Sequence, residues 1–196
     1  MPSFYDLDAK DRIALTEDAI EKRVTLMCRW ENLYSERASG WDRRAAIAAG
    51  MLTDCPSVAD LGCGHMSLER YLAPTARYLP VDVVRRDERT IIVDFNHAPP
   101  PLPAAHAAAC LGLLEYLHDV AGFLGHLRTG YQILVLSYNP AHDHSLLQQR
   151  RAHAWVNDHS IDQIEALFEA DGWAAAEAVS LGGHQMLWKL RRVGEG

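Results

Sequence analysis

Two glycines separated by one residue end a short apolar segment that also carries an acid. The segment is Val58-Ala-Asp-Leu-Gly-Cys-Gly-His-Met-Ser-Leu68, in which Gly62 and Gly64 follow Asp60. Glycine has no Cβ and adopts positive φ readily, so this pair permits a tight turn whose backbone amides face a ligand. A strand followed by such a turn and a helix is typical of adenosine-type cofactor sites at the carboxyl edge of a parallel sheet.

A second acid follows at a spacing that suits the same chemistry. Asp82 ends the next apolar run, Tyr78-Leu-Pro-Val-Asp82-Val, and lies 18 residues after Gly64. A carboxylate about 20 residues beyond such glycines can accept hydrogen bonds from the ribose hydroxyls of a nucleoside cofactor. Each feature alone also fits an ordinary turn or a solvated strand end. Together they favour nucleoside binding.

The order of these motifs resembles that of class I S-adenosylmethionine-dependent methyltransferases. Asp60-Leu-Gly-Cys-Gly64 is similar to the first motif of that family, and Asp82 is similar to its ribose-binding acid. Ile91-Ile-Val-Asp94-Phe95 resembles the third-strand motif, and Ala107–Asp119 resembles the fourth strand with its following helix. The motif resemblance extends from Val58 to Leu136, and beyond that point it is a resemblance of topology alone.

This resemblance implies an enzyme with S-adenosylmethionine as its cofactor. The glycine turn and Asp60 would hold the methionine moiety, Asp82 the ribose, and Asp94 with Phe95 the adenine. The implied cofactor-binding residues are Asp60, Gly62, Gly64, Asp82, Val83, Asp94, Phe95, Cys110 and Leu111. Met66 departs from the family pattern, because it stands where many members have a third glycine.

Candidate bases follow the fifth predicted strand. A methyl sulfonium is already activated, so positioning supplies most of the acceleration, and a base is needed only when the acceptor loses a proton. Tyr138, His142 and His144 lie in Ser137-Tyr-Asn-Pro-Ala-His-Asp-His144, and we take Tyr138 and His142 as the candidates. A surface or structural role is the alternative for each. Two histidines at this spacing supply too few ligands for a metal, so no metal site is predicted.

Other side chains carry weaker signals. Glu115 either faces the site or is an acid at a helix start. The pairs Arg85-Arg86 and Arg150-Arg151 are predicted to lie on a solvated face, with contact to an anionic acceptor as the alternative. Three aromatic residues near the N-terminus are candidates for a cover over the acceptor or for ordinary packing, namely Trp30, Tyr34 and Trp41.

The elements that must position these residues follow from periodicity. Apolar residues at helical spacing predict two or three helices between Asp8 and Ala49. Strands are predicted at 58–61, 78–84, 90–94, 107–111 and 133–138, with a helix at 113–127. Ser160-Ile-Asp-Gln163 has capping-box spacing before a helix, and Gly182-Gly183 predicts a closing hairpin of 173–181 with 184–192.

The pattern and the resemblance together predict an α/β fold. We expect a Rossmann-like three-layer sandwich with a mostly parallel seven-stranded sheet whose last strand is reversed, with helices on both faces. A single domain of 1–196 is predicted, with 1–50 as an N-terminal helical cover and 56–196 as the core.

Composition narrows the function. The chain has 196 residues and a formal charge of −7, which argues against nucleic-acid and anionic-membrane partners. Four dispersed cysteines and no apolar run of membrane-spanning length favour a cytoplasmic protein. We expect methyl transfer to a small-molecule or sugar-like acceptor. The alternatives are a non-catalytic binding or regulatory module of the same fold and an NAD-dependent oxidoreductase. The sequence carries no signal for an oligomeric state.

Overall fold

One seven-stranded sheet organises the chain. The computed structural model describes residues 3–33, 39–97, 101–142 and 146–194. The strands are β1 (Ser57–Leu61), β2 (Arg77–Asp82), β3 (Ile91–Ile92), β4 (Ala107–Leu111), β5 (Ile133–Tyr138), β6 (Trp173–Gly182) and β7 (Gln185–Arg192). Their order is β3-β2-β1-β4-β5-β7-β6. Neighbours from β3 to β5 are parallel, and β7 is antiparallel to both β5 and β6. The predicted reversed last strand is confirmed.

Helices flank this sheet, and short 3₁₀ helices join the elements. The α-helices are α1 (Ala9–Lys22), α2 (Ser39–Met51), α3 (Val120–Gly130), α4 (Leu147–Ala152) and α5 (Ile161–Ala170). The 3₁₀ helices are Phe4–Asp6, Met27–Arg29, Ser67–Tyr71 and Leu114–Tyr116. No helix in the described ranges is long and apolar enough to cross a membrane.

The alternation of side chains along β4 explains the three layers. Ala108 and Cys110 belong to a core cluster that includes residues of α3 and α5, whereas Ala107 and Ala109 belong to a cluster with α2. All four side chains are fully buried. Because successive residues of a strand point to opposite faces, a strand of small residues lets helices pack closely on both sides. The predicted sandwich is therefore confirmed.

The helix expected after the glycine turn is a 3₁₀ helix of five residues. The turn is followed by the 3₁₀ helix Ser67–Tyr71, which begins after Met66 in the left-handed conformation. Pro74 disfavours helical geometry at Ala73, so few residues remain between Met66 and that limit. The 3₁₀ helix packs against α2.

The predicted helix at 113–127 is divided in two. The 3₁₀ helix Leu114–Tyr116 ends at Leu117, which is extended, and α3 begins after Asp119. The Asp119 carboxylate accepts a hydrogen bond from the Gly122 amide at 2.9 Å, which is the geometry of an N-cap. By contrast, the Ser160 capping box and the closing hairpin about Gly182-Gly183 are confirmed.

The N-terminal segment, residues 3–33, lies against the ends of β2 and β3. The Thr25 hydroxyl donates to Asp94 at 2.6 Å, and the Arg86 guanidinium donates to the Trp30 carbonyl at 3.0 Å. Further back, α1 packs against α4, where the Thr16 hydroxyl donates to the Arg151 carbonyl. The segment is thus held at the edge of the sheet where the predicted cofactor residues end their strands.

The cap at Asp119 yields a stability prediction. We expect Asp119→Ala to lower the free energy of unfolding by about 1 kcal/mol, because the Gly122 amide loses its acceptor. Asp119→Asn retains a capping oxygen and is the matched control. Urea unfolding of the three proteins would measure the difference. Equal losses in both variants would contradict the capping role.

Candidate active site

A cavity of about 310 Å³ opens where β1, β2 and β4 end beneath the N-terminal segment. Because β2 and β4 leave β1 on opposite sides, this is a switch point of the parallel sheet, where α/β proteins bind ligands. Eight of the nine predicted cofactor residues line it, namely Asp60, Gly62, Gly64, Asp82, Val83, Asp94, Phe95 and Leu111. The fold therefore brings together eight predicted residues that are distant in the chain.

The glycine turn has the backbone that its sequence predicts. Gly62 and Gly64 have φ values of +76° and +51°. A Cβ at Gly62 would lie 3.2 Å from Leu113 Cδ1, so a side chain there would be crowded as well as strained. The Gly62 amide donates to the Val81 carbonyl at 2.8 Å, which anchors the turn to β2. A ligand can therefore approach the turn backbone closely.

Met66 stands where many members of the methyltransferase family have a third glycine. Its backbone conformation explains why glycine suits this position. Its φ is +54°, a left-handed conformation that glycine adopts without cost and that costs other L-residues about 1–2 kcal/mol. The Met66 side chain does not line the cavity. A bulky residue at this position therefore strains the loop without narrowing the site.

Asp82 is the most connected of the acids. It is 4% exposed, and its carboxylate accepts hydrogen bonds from the Gly64 amide at 2.8 Å and the Val84 amide at 3.0 Å. Arg86 pairs with it at 3.1 Å. A carboxylate has about four acceptor positions, and the fourth here faces only the Cys63 thiol at 4.0 Å, a weak donor that a ribose hydroxyl could replace. The prediction of a solvated Arg85-Arg86 pair is right for Arg85, which is exposed, and wrong for Arg86, because Asp82 holds it in the interior.

Asp60 is buried beside the same turn. The residue is 3% exposed, and the Tyr78 hydroxyl donates to its carboxylate at 2.7 Å. Burial raises the pKa of Asp60 to about 7, although the hydrogen bond from Tyr78 and the charge of Arg44 oppose this rise. Near neutral pH the carboxyl is thus close to its titration point, and an arriving cation would favour its ionised form.

Asp94 and Phe95 follow β3 at the far end of the cavity. The Asp94 carboxylate accepts from Thr25 and from the Asn96 amide on one oxygen and lies 3.0 Å from His97 Nδ1 on the other. Phe95 lines the cavity and also packs edge-to-face on Phe123, with ring centroids 5.2 Å apart. Phe95 therefore serves both the cavity wall and the core.

Three predicted residues lie away from the cavity. Cys110 is fully buried in the core beneath α3 and α5, because its side chain points to that face of β4. Tyr138 is fully buried, and its hydroxyl donates to Asn157 at 2.6 Å. His142 is exposed, and its ring contacts that of His184 in a tilted arrangement with ring centroids 4.4 Å apart.

The placement of Tyr138 and His142 does not suit a base. The Tyr138 hydroxyl also accepts a hydrogen bond from the His159 amide, and burial raises the pKa of Tyr138 further from neutrality. Neither residue lines the cavity. We therefore replace both candidates. His144 and Tyr34 lie outside the described residues.

Glu115 is the carboxylate that faces the cavity after β4. It is 1% exposed, and its Oε1 accepts from the Asn139 amide at 3.0 Å and from Asn139 Nδ2 at 2.7 Å. Its Oε2 is buried without a hydrogen-bond partner. Burial raises the pKa of Glu115, which makes its ionised form a stronger proton acceptor than an exposed glutamate. The sequence left the role of Glu115 open, because one acid at a helix start does not indicate whether its side chain is buried.

Arg44 is a cavity residue that the sequence analysis missed. It projects from α2, and burial lowers its pKa against the opposing charges of Glu115, Tyr116 and Asp60. Its Nη1 lies 2.6 Å from the point where a Cβ on Gly112 would stand. Gly112, with φ of +73°, is therefore the sequence signal for this close approach.

The predicted solvated face at Arg150-Arg151 is also wrong. Arg150 is 5% exposed, pairs with Asp158 at 2.8 Å, and donates to the Asn139 carbonyl at 2.8 Å. Arg151 pairs with the same carboxylate. These ion pairs fix the loop after β5, including the residue that holds Glu115.

Comparisons with known proteins give a fold. No protein-family model and no curated protein matches the chain. A methyltransferase of calicheamicin biosynthesis, solved with S-adenosylhomocysteine, matches at a TM-score of 0.60 and 17% identity, covering 78% of this chain and 54% of that one. The mitomycin 7-O-methyltransferase matches at 0.64 and 15% identity, covering 94% and 67%. The chain has the class I methyltransferase fold.

A third protein with this methyltransferase fold comes from neocarzinostatin biosynthesis. This O-methyltransferase, in complex with S-adenosylmethionine and 2-hydroxy-5-methyl naphthoic acid, matches at a TM-score of 0.59 and 13% identity, covering 94% of this chain and 69% of that one. The chain thus spans about half of the first of these proteins and about two thirds of the other two.

The raised pKa of Asp60 predicts a pH-dependent stability difference. The folded protein holds this proton more tightly than the unfolded chain, in which an aspartate has a pKa of about 3.9. The stabilisation is therefore complete below about pH 4 and is lost as the pH rises to 7. Relative to Asp60→Asn, we expect wild-type stability to fall by roughly 4 kcal/mol over this range and then to level off.

Urea unfolding at a series of pH values would measure this difference. Asp54→Asn, at an exposed position away from the cavity, is the matched control and should run parallel to the wild type. Parallel curves for Asp60→Asn and the wild type would contradict the assignment.

Proposed function

We propose that the protein transfers a methyl group from S-adenosylmethionine to a small-molecule acceptor. The observation that carries this proposal is the row of acids Asp60, Asp82 and Asp94, which end or follow three neighbouring parallel strands and line one cavity with the glycine turn. Such a row matches a ligand that presents an ammonium, a ribose diol and an adenine amine in succession.

The cavity residues fit this cofactor. Asp60 would hold the ammonium, and Arg44 would hold the methionine carboxylate beside Gly112. Asp82 would bind the ribose in place of its weak contact with the Cys63 thiol, and Phe95 offers an apolar face to the adenine. When bound, the cofactor supplies a methyl group already activated on a sulfonium.

Glu115 would take the proton that the acceptor loses. Two hydrogen bonds from Asn139 fix its Oε1, so Oε2 is presented in one orientation. Its lack of a hydrogen-bond partner and its burial leave it available to an O–H or N–H of the acceptor. A fixed carboxylate in a site shielded from water both orients the acceptor group and receives its proton.

A small acceptor is supported by the lining and by the proteins with a similar fold. Beyond the acids, the cavity is bounded by side chains of the N-terminal segment and the loop after β5, which leaves space for a small molecule. The neocarzinostatin enzyme was solved in complex with S-adenosylmethionine and a naphthoic acid. The four free cysteines fit a reducing compartment, and we place the protein in the cytoplasm.

Calorimetric titration tests the cofactor. We expect S-adenosylmethionine and S-adenosylhomocysteine to bind and NAD not to bind. Asp82→Ala should weaken both interactions by about 1–3 kcal/mol, because it removes a charged acceptor and frees the Gly64 amide. Asp54→Ala is the matched control and should bind as the wild type does. Binding of NAD alone would favour the oxidoreductase alternative, and unchanged affinity in Asp82→Ala would reject the ribose assignment.

A second titration tests Glu115 without knowledge of the acceptor. S-adenosylmethionine carries a sulfonium charge that S-adenosylhomocysteine lacks, so a carboxylate facing the methyl group attracts only the former. We expect Glu115→Gln, at pH 8, to weaken the first ligand several-fold relative to the second. Asp82→Ala should leave this ratio unchanged. A ratio that is the same in Glu115→Gln and the wild type would show that Glu115 does not face the methyl group.

A further inference from the structure

One wall of the cavity carries a guanidinium held between aromatic rings. Arg29, in the 3₁₀ helix Met27–Arg29, is 6% exposed and lines the cavity. Its guanidinium carbon lies 4.5 Å from the Tyr5 ring centroid and 4.5 Å from that of Trp30. Rings on a guanidinium fix its plane by cation–π attraction and leave its N–H edge for hydrogen bonding. That edge is the part of Arg29 that can donate hydrogen bonds to a ligand.

Arg29 has no counter-ion among the described residues. It forms no ion pair with any residue that the structure describes, and its buried Nε has no hydrogen-bond partner. Arg86 and Arg150, by contrast, pair with Asp82 and Asp158. Burying a cation without an anion is costly, and an anionic ligand recovers that cost.

The rings around Arg29 form a continuous aromatic surface. Trp30 packs edge-to-face on Tyr116 with ring centroids 4.5 Å apart. The Trp155 indole Nε1 lies 3.3 Å from the Tyr116 hydroxyl, and all of these rings line the cavity. Such a surface favours a planar aromatic ligand over a saturated one of equal charge, because ring contacts add to the burial of apolar area.

We propose that the methyl acceptor is an aromatic carboxylate, with its carboxylate on Arg29 and its ring against Trp30 and Tyr116. This inference rests on the proposed function, because it names the acceptor class of the same site. The guanidinium edge matches a carboxylate with two parallel hydrogen bonds. Glu115 and Tyr116 both follow β4 and line the cavity. Glu115 would therefore receive the proton of the O–H or N–H that is methylated.

The cofactor also carries a carboxylate, and the experiment must separate the two sources. Arg44 packs against Gly112 at the end of β4, which makes it the guanidinium for the methionine moiety. Loss of Arg29 should therefore spare S-adenosylhomocysteine. Methylthioadenosine, which lacks the amino-acid group, gives the reference for this comparison.

Binding of aromatic probes to the protein saturated with S-adenosylhomocysteine tests the proposal. We expect 4-hydroxybenzoate to bind at least about tenfold more tightly than 4-hydroxybenzyl alcohol, 4-hydroxybenzylamine or glucuronate. In Arg29→Gln the benzoate should lose this advantage, while the alcohol binds as before. Arg85→Gln is the matched control, because it removes an exposed arginine outside the cavity and should retain the preference. Fluorescence of the cavity tryptophans or calorimetry would measure the affinities.

Each contrary result has a distinct meaning. Equal binding of the benzoate and the alcohol, or no binding of any probe, overturns the aromatic carboxylate, and equal binding of glucuronate overturns the aromatic part. Selective weakening of S-adenosylhomocysteine relative to methylthioadenosine in Arg29→Gln assigns Arg29 to the cofactor and also overturns the proposal. Arg29→Gln could also weaken the binding of S-adenosylhomocysteine and methylthioadenosine equally. In that case Arg29→Lys, which retains the charge, must keep the preference for 4-hydroxybenzoate over 4-hydroxybenzyl alcohol. Binding of S-adenosylhomocysteine to the wild-type protein is measured first. Its absence would reject the proposed function rather than the acceptor class.

Discussion

The buried carboxylate of Asp82 is the interaction on which the site depends. It receives the Gly64 amide from the glycine turn and the Arg86 guanidinium from the loop after β2. Arg86 extends the connection, because it also donates to the Trp30 carbonyl in the N-terminal segment. One anion therefore joins the turn, the strand end and the cover. Without it, a nearly buried arginine would be left without its counter-ion, which is far more costly than loss of an exposed pair.

The N-terminal segment closes both halves of the cavity. Its Thr25 hydroxyl bonds to Asp94 at the end predicted for adenine, and its Arg29 guanidinium lies between rings at the end predicted for the acceptor. Asn96 donates to both Thr25 and the Tyr116 carbonyl, which joins the two halves. Release of this segment would open both ends of the cavity to water, so these contacts shield the sites proposed for the cofactor and the acceptor together.

The side of the cavity proposed for the cofactor could be anticipated from the sequence, because its acids lie at or just beside the ends of strands. Parallel strands bring their carboxyl ends to one edge, so Asp60 and Asp82 meet there whatever the loops do. The acceptor side depends on how a separate segment docks, and no periodicity encodes that Arg29 enters the cavity. Tyr138 shows the converse: its place after a strand suggested chemistry, but Asn157, from a loop that sequence could not place, uses its hydroxyl.

The charges of the buried side chains link the two sides of the cavity. Asp82 is balanced by Arg86, and Asp94 accepts hydrogen bonds from Thr25 and the Asn96 amide, while Arg44 lies in the field of Asp60 and Glu115. Arg29 has no carboxylate partner among the described residues, so a carboxylate ligand would complete the balance on the acceptor side. Because Coulomb interactions strengthen as water leaves, this pairing matters most with the cavity closed. Acceptor charge and closure would then reinforce each other, and a neutral analogue would lose affinity through both.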